Sequence, residues 1–372
     1  MHRLKLLFPL MLMFLAVSIA QAEPTAQIYL NQIRLPENFS IAIYNDNVRG
    51  ARSMTIGDNG TVFVGTRGAG TVYALVDNDG DNIAESRYVI ANNLNSPNGV
   101  AFHEGSLYVA EISRILRYDD IESNLNNPPR PVVVYDDFPR ETHHGWKYLR
   151  IGPDEMLYAP IGVPCDICNM TDPYGTIYRM NLDGTGAEMV AQGIRNTVGF
   201  DWHPETEELW FTDNGNDAMG DDIPPDELNR VANIGDHFGF PFCLGGFYNE
   251  TRYGQRSCSE FIPPAQLLQA HTAALGMRFY TGEMFPEKYL EYVFIAEHGS
   301  RSRSEKVGYR VTMVRILDDF AVSYETFADG WLQNGMEWGR PVDILQMPDG
   351  ALLVSDDFAG VIYRISYQAP QS

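Results

Sequence analysis

The sequence predicts an all-β chain, a six-bladed β-propeller, in an exported protein. Three observations predict it. A phrase made of a turn, a short β-rich strand, a second turn and another strand recurs six times. The first four of these turns, at residues 58, 104, 153 and 204, are spaced by roughly 50 residues, the period of a four-stranded blade. No segment sustains the 3.6-residue apolar period of an amphipathic helix.

The elements follow in chain order. His2, Arg3 and Lys5 form a basic start, residues 6–20 are almost purely apolar, and Ala20-Gln21-Ala22 ends the stretch. A basic region, an apolar run and an A-x-A end describe a cleavable secretory signal over residues 1–22. A retained anchor competes, but the run is short for a spanning helix. The mature chain, residues 23–372, is then expected to be one propeller domain in the periplasm or outside the cell. The six copies start at Asp58-Asn59-Gly60, Glu104-Gly105, Pro153-Asp154, Pro204-Glu205, Pro286-Glu287 and Pro348-Asp349-Gly350. The longer interval after the fourth places a long loop at about 213–271. A β-sandwich array competes, but blocks of four strands close into a ring that leaves few exposed edges.

Charge and cysteines narrow the function. Removing Arg3 and Lys5 from 27 basic residues leaves 25 against 49 acidic ones, a net of −24. That argues against nucleic acid or an anionic membrane as partner. Part of the acid surplus can hold a divalent cation. Cys165, Cys168, Cys243 and Cys258 are an even set in an exported chain, so local pairing gives disulfides 165–168 and 243–258. Zinc competes, without a second C-x-x-C or a spaced histidine pair. Asn169 stands where a c-type haem motif needs histidine, which argues against a c-type haem.

Candidate chemistry sits at blade edges. His143-His144-Gly145-Trp146-Lys147 offers a general base, against the plainer reading of solvated loop histidines. Arg195-Asn196 offers a fixed cation and amide for carboxylate or quinone oxygens, against a surface ion pair. Residues 213–227 crowd six carboxylates, Asp213, Asp217, Asp221, Asp222, Asp226 and Glu227, between glycines and prolines, a composition suited to calcium. Asp77, Asp79, Asp81 and Glu85 read either as a calcium loop or as a hairpin turn. Arg301 and Arg303, at i and i+2 on an extended segment, point the same way and can grip an anion together; surface charge is the alternative. Ser355-Asp356-Asp357 ends a strand at another blade edge.

The strings HGWKYLRIGPDEMLYAPIGVPC, TDNGNDAMGDDIPPDELNRV, FIAEHGSRSRSEKVGYRV and GRPVDILQMPDGALLVSDDFAGVIYRI resemble the sorbosone dehydrogenase-like branch of the glucose/sorbosone dehydrogenases, over about residues 35–365. The resemblance implies a propeller holding pyrroloquinoline quinone (PQQ) and calcium on its axis, oxidising a sugar, an aldose or an aldehyde hydrate, and passing the electrons to an external acceptor, a quinone or cytochrome. It implies His144 as base, Arg195 as its catalytic partner, and Arg195-Asn196 as a cofactor pair. Arg52, His144, Lys147, Arg301 and Arg303 are further cofactor candidates. It implies calcium on the turn of Asp213, Asn214 and Gly215, with Asp221, Asp222, Asp226 and Glu227 as acidic candidates. Two positions depart from the pattern. Val163 stands where the soluble glucose dehydrogenases have the aspartate that supports the base, so His144 needs another orienting group. Asn216 stands where this branch usually has arginine. The competing functions are a calcium-dependent lactonase of the same fold and a secreted propeller that binds carbohydrate or protein.

Overall fold

The computed structural model describes residues 29–370; the signal segment expected at 1–22 lies outside them. Six antiparallel sheets form the blades. Blade one is Ala51–Ile56, Val62–Thr66, Val72–Val76 and Ser86–Ala91; blade two is Gly99–His103, Ser106–Ala110, Ile115–Tyr118 and Val132–Tyr135. Blades three, four and five start their innermost strands at Arg150–Ile151, Phe200–Trp202 and Ala274–Phe279. Blade six runs Pro341–Gln346, Leu352–Asp356 and Val361–Tyr367, and takes its outermost strand from the other end of the chain, Phe39–Asn45. Phe39 pairs with Tyr367 and Ile43 with Tyr363, so the ring is closed by main-chain hydrogen bonds.

The recurring phrase is the middle of each blade, its second and third strands. These read as apolar runs because they are covered on both faces: all five residues of Val62–Thr66 and of Leu352–Asp356 are buried. Six hydrophobic clusters fill the spaces between successive blades, such as Phe63, Val72 and Leu107 between blades one and two, and Trp210, Leu228 and Val293 between four and five. Face-to-face packing of sheets makes each interface a core of its own. Near the axis there is little room, and Gly199 supplies it: a Cβ there would lie 2.1 Å from the carbonyl oxygen of Leu275 in the next blade.

The extra length in blade four falls in two pieces, because Glu227–Val231 is the third strand of that blade. The second piece carries the Cys243–Cys258 disulfide, and its Asp236–His237 strand pairs in parallel with blade three. Among the described residues no helix is long and apolar enough to cross a membrane.

Candidate functional site

At one end of the ring the first strand of each blade begins and the second strand ends. The residues at these two positions surround a cavity of about 440 Å³. Of the sequence candidates, Arg52, His144, Arg195, Asn196, Asn214, Gly215, Asp226 and Arg301 line it together. They come from blades one, three, four and five.

His144 sits in the left-handed region, φ 50°, on the loop that leads into blade three. A non-glycine residue holds that conformation only where its surroundings impose it. Gly162 makes the space: a Cβ there would lie 2.7 Å from the Cβ of His144 and 3.1 Å from Oδ1 of Asn196. The ring is buried, and Nδ1 lies 2.8 Å from the carbonyl oxygen of Val163. A carbonyl only accepts, so Nδ1 carries the proton and Nε2 keeps its lone pair. Burial first, then Arg195 and His143, push the imidazole down to about 3, so it is neutral. The orienting group that Val163 lacks in its side chain is supplied by its main chain.

Arg195 and Asn196 are fixed by their own backbone. Their N–H groups donate to the two oxygens of Asp213 at 2.8 and 2.7 Å. The Arg195 guanidinium donates to the main-chain oxygen of Asp166 (2.7 Å), to its Oδ1 (2.7 Å) and to the carbonyl of Asn214 (3.1 Å). Asp166 lies inside the loop closed by the Cys165–Cys168 disulfide. The N–H of Val163 donates to the carbonyl of Arg195 at 3.0 Å, so one residue ties both candidates together.

Behind the turn of residues 214–215 lies a small space of about 20 Å³, lined among others by Asp213, Asn216 and Glu227. Asp213 and Glu227 face each other across the second and third strands of blade four. Burial is the first cause that raises both, and each is raised further by a neighbouring carboxylate. Asn216 is 1% exposed, its Nδ2 donates to the carbonyl of Asp217, and its Oδ1 has no partner among the described residues. Two buried carboxylates and an orphaned amide oxygen around a space the size of one small particle fit a hard divalent cation. Asp226, raised to about 6 chiefly by burial, stands at the cavity side of the turn and accepts from the N–H of Gly215 at 2.9 Å.

Four candidates are placed elsewhere. Lys147 is 1% exposed, donates to the carbonyl of Gly145, and does not line the cavity; burial lowers its pKa to about 7. The segment with Arg301 and Arg303 is a loop, not an extended strand, so the two arginines diverge. Arg303 turns to the carbonyls of Asp221 and Ala270 and to the carboxylate of Asp222. Asp221 accepts from the N–H of Ser304 at 2.9 Å. Asp221 and Asp222 thus anchor a loop, away from the buried acids. Asp77, Asp79, Asp81 and Glu85 have ligand atoms within 4.8 Å of one another, and Asp77 accepts from the N–H groups of Gly80 and Asn82, as in a hairpin turn.

Three basic or imidazole side chains of the cavity were not picked out from the sequence. Arg67 lies over the ring of Trp146 at 4.1 Å. His271 donates from Nε2 to the carbonyls of Gly220 and Ile223, which leaves its buried Nδ1 lone pair without a partner among the described residues. His298 holds Asp357 at 2.8 Å, and Asp357 also accepts from Arg52 at 2.9 Å. Arg67 and His298 directly follow the second strand of their blades, as Asn214 and Asp357 do, a repeat position that could have identified the two that were missed.

The whole fold is shared with solved proteins. A Trichoderma reesei protein of Carbohydrate-Active Enzymes family AA12 is 18% identical, with a TM-score of 0.79 over 90% of this chain and 98% of its own. The holo form of the pyranose dehydrogenase PQQ domain from Coprinopsis cinerea is 17% identical, with a TM-score of 0.78 over 90% and 97%. The PQQ-bound aldose sugar dehydrogenase of Streptomyces coelicolor is 19% identical, with a TM-score of 0.65 over 90% and 100%. At these identities the likeness shows the propeller fold. In sequence, an uncharacterised protein of Borreliella burgdorferi is 33% identical over 373 residues, 95% of this chain and 94% of the relative. A family model described as "Domain of unknown function (DUF7133)" matches residues 27–370, and the chain belongs to that family.

Proposed function

We propose that the protein is a PQQ- and calcium-dependent dehydrogenase that oxidises an alcohol, hemiacetal or aldehyde hydrate of a sugar. One observation carries the reading. Four arginines, Arg52, Arg67, Arg195 and Arg301, and a neutral buried histidine converge on one cavity of a chain whose net charge is −22. A site so basic in a protein so acidic suits a large anionic ligand. The sugar dehydrogenase names of the solved proteins with this fold support it, and the quoted motifs support the sorbosone-like branch.

Arg52, Arg195, Asn196 and Arg301 would hold the oxygens and carboxylates of the quinone. Asp213, Asn214, Gly215, Asn216, Asp226 and Glu227 surround the turn that would hold calcium. When bound, the quinone supplies the acceptor for the hydride lost from the substrate carbon, and calcium supplies a Lewis acid. The chain's own part is proton management. Nε2 of His144 takes the proton of the substrate hydroxyl, while the Val163 carbonyl holds the ring in the accepting tautomer. Arg195 presents a fixed positive charge beside the same cavity, already oriented before any ligand arrives. A calcium-centred hydrolase is served less well, since among the described residues only Asp217 and Asp226 bring carboxylates to the cavity, against four arginines.

The test is a titration of purified apoprotein with PQQ and calcium, followed by the cofactor absorbance and by dye reduction over a panel of sugars. A spectral change with sugar-dependent reduction is expected. Neither appearing would reject the dehydrogenase.

A further inference from the structure

Across a shared wall of Arg52, Arg67, His298 and Arg301, the cavity adjoins a second open groove of about 510 Å³ between blades one and six. The groove adds Arg49 and Arg340, and its lining has just two carboxylates, Asp46 and Asp357, among the described residues. Asp357 is engaged by Arg52 and His298. Arg340 is engaged by Glu337 at 2.8 Å and lies over the ring of Phe358.

Two arginines remain once Arg301 is given to the quinone. Arg49 and Arg67 make no ion pair and no side-chain hydrogen bond among the described residues. Arg67 is half-buried against Trp146, and burial, followed by the nearby charge of Arg52, presses its pKa below the ordinary arginine value. A cation partly removed from water without a counter-charge is costly; that holds for the half-buried Arg67, and the exposed Arg49 adds a second unpaired positive charge at the groove for a ligand to offset. The guanidinium fork matches carboxylate and phosphate oxygens in pairs. The groove has the volume of a small-molecule site.

We propose that this groove is a substrate subsite for an anionic group, and that the enzyme acts on sugars bearing a carboxylate or a phosphate rather than on neutral sugars. The anionic end lies in the groove between blades one and six, and the alcohol or hemiacetal end reaches through the shared wall toward His144. This rests on the dehydrogenase reading. The carboxylates of a quinone cofactor draw on the cavity arginines, whereas Arg49 and Arg340 line the groove alone. A single tricyclic molecule does not fill two spaces of this size.

The experiment compares D-glucuronate, D-glucose 6-phosphate and D-glucose, by calorimetry on the apoprotein and by steady-state assay on the cofactor-loaded protein. It uses wild type, Arg49→Glu and Arg67→Gln, with thermal unfolding as the check on folding. At least one anion is expected to bind at least tenfold tighter than glucose, more weakly as salt rises, with that preference reduced at least tenfold in Arg49→Glu. Which anion wins names the source of the charge. Equal affinity for all three sugars, or an anion preference unchanged in both folded variants, overturns the proposal. If the loaded protein oxidises no sugar, the dehydrogenase reading fails, and the calorimetry still decides the groove. If it oxidises glucose and uronate alike, the groove proposal fails with the dehydrogenase intact.

Discussion

Nδ1 of His144 donates to the main-chain carbonyl of Val163 at 2.8 Å, and the N–H of the same valine donates to the carbonyl of Arg195 at 3.0 Å. The base candidate and the cation candidate are therefore held at a fixed separation by one peptide unit on each side of a hydrophobic residue. Replacing Val163 by another apolar residue should leave this arrangement in place, because no side-chain atom takes part in it.

His144→Ala should lower turnover with saturating sugar by roughly 10²–10⁴-fold, the usual scale of general-base help, while the protein still takes up PQQ. The check is kcat against cofactor binding on the same preparation. Activity within tenfold of wild type would remove His144 from the mechanism.

The pH profile should separate a buried histidine from an ordinary one. Burial and Arg195 lower the imidazole to about 3, so the base stays ready throughout the range in which free histidine titrates. A limb of kcat/KM near pH 6.5 that disappears in His144→Ala would contradict this. The same shift bears on stability: between pH 6.5 and about 3 the unfolded chain binds the proton that the folded chain refuses. The contribution of His144 is therefore complete above pH 6.5 and is lost as pH falls toward 3.

Glu227→Gln should part stability from metal response. The carboxyl is buried beside Asp213, and burial followed by that neighbour raises its pKa; its ionised form accepts from Gly245 and Asn229 but has no counter-charge among the described residues. In a chelator the variant should melt no lower than wild type. On adding calcium, the rise in melting temperature seen for wild type should shrink or vanish. A full calcium response in the variant would remove Glu227 from the metal site.

Asp166→Asn and the pair Cys165→Ser with Cys168→Ser should act alike. Each loosens the loop that fixes the Arg195 guanidinium. Both should reduce kcat/KM by about tenfold, the order expected when a charge-assisted contact is weakened, with blade packing intact by near-ultraviolet circular dichroism. A variant with unchanged kcat/KM would show that Arg195 needs no such support.

The ring was legible because its signal is local: a turn followed by a doubly covered strand is written in neighbouring residues, such as Asp58-Asn59-Gly60 before Val62–Thr66. The convergence of His144, Arg195 and the turn at 214–215 was legible for a related reason, since each falls at the same kind of blade edge. What the sequence concealed depended on main-chain groups or on distant packing. The carbonyl of Val163 has no residue type, so its substitution for an aspartate left no mark. Lys147 was named as a cofactor candidate, but it is buried, with its amine on the carbonyl of Gly145. Arg301 and Arg303 were read as extended neighbours, whereas the loop around them sends Arg303 to the acids at 221–222.

The closure between Phe39–Asn45 and Val361–Tyr367 also governs timing. The cavity borrows walls from blades one, three, four and five, and blades one and five are brought into the same circle by blade six. Blade six is incomplete until the last strand of the chain exists. A nascent or C-terminally clipped polypeptide can thus stack several finished sheets and still have no central basin, so loading of any ligand there belongs to the finished, released molecule.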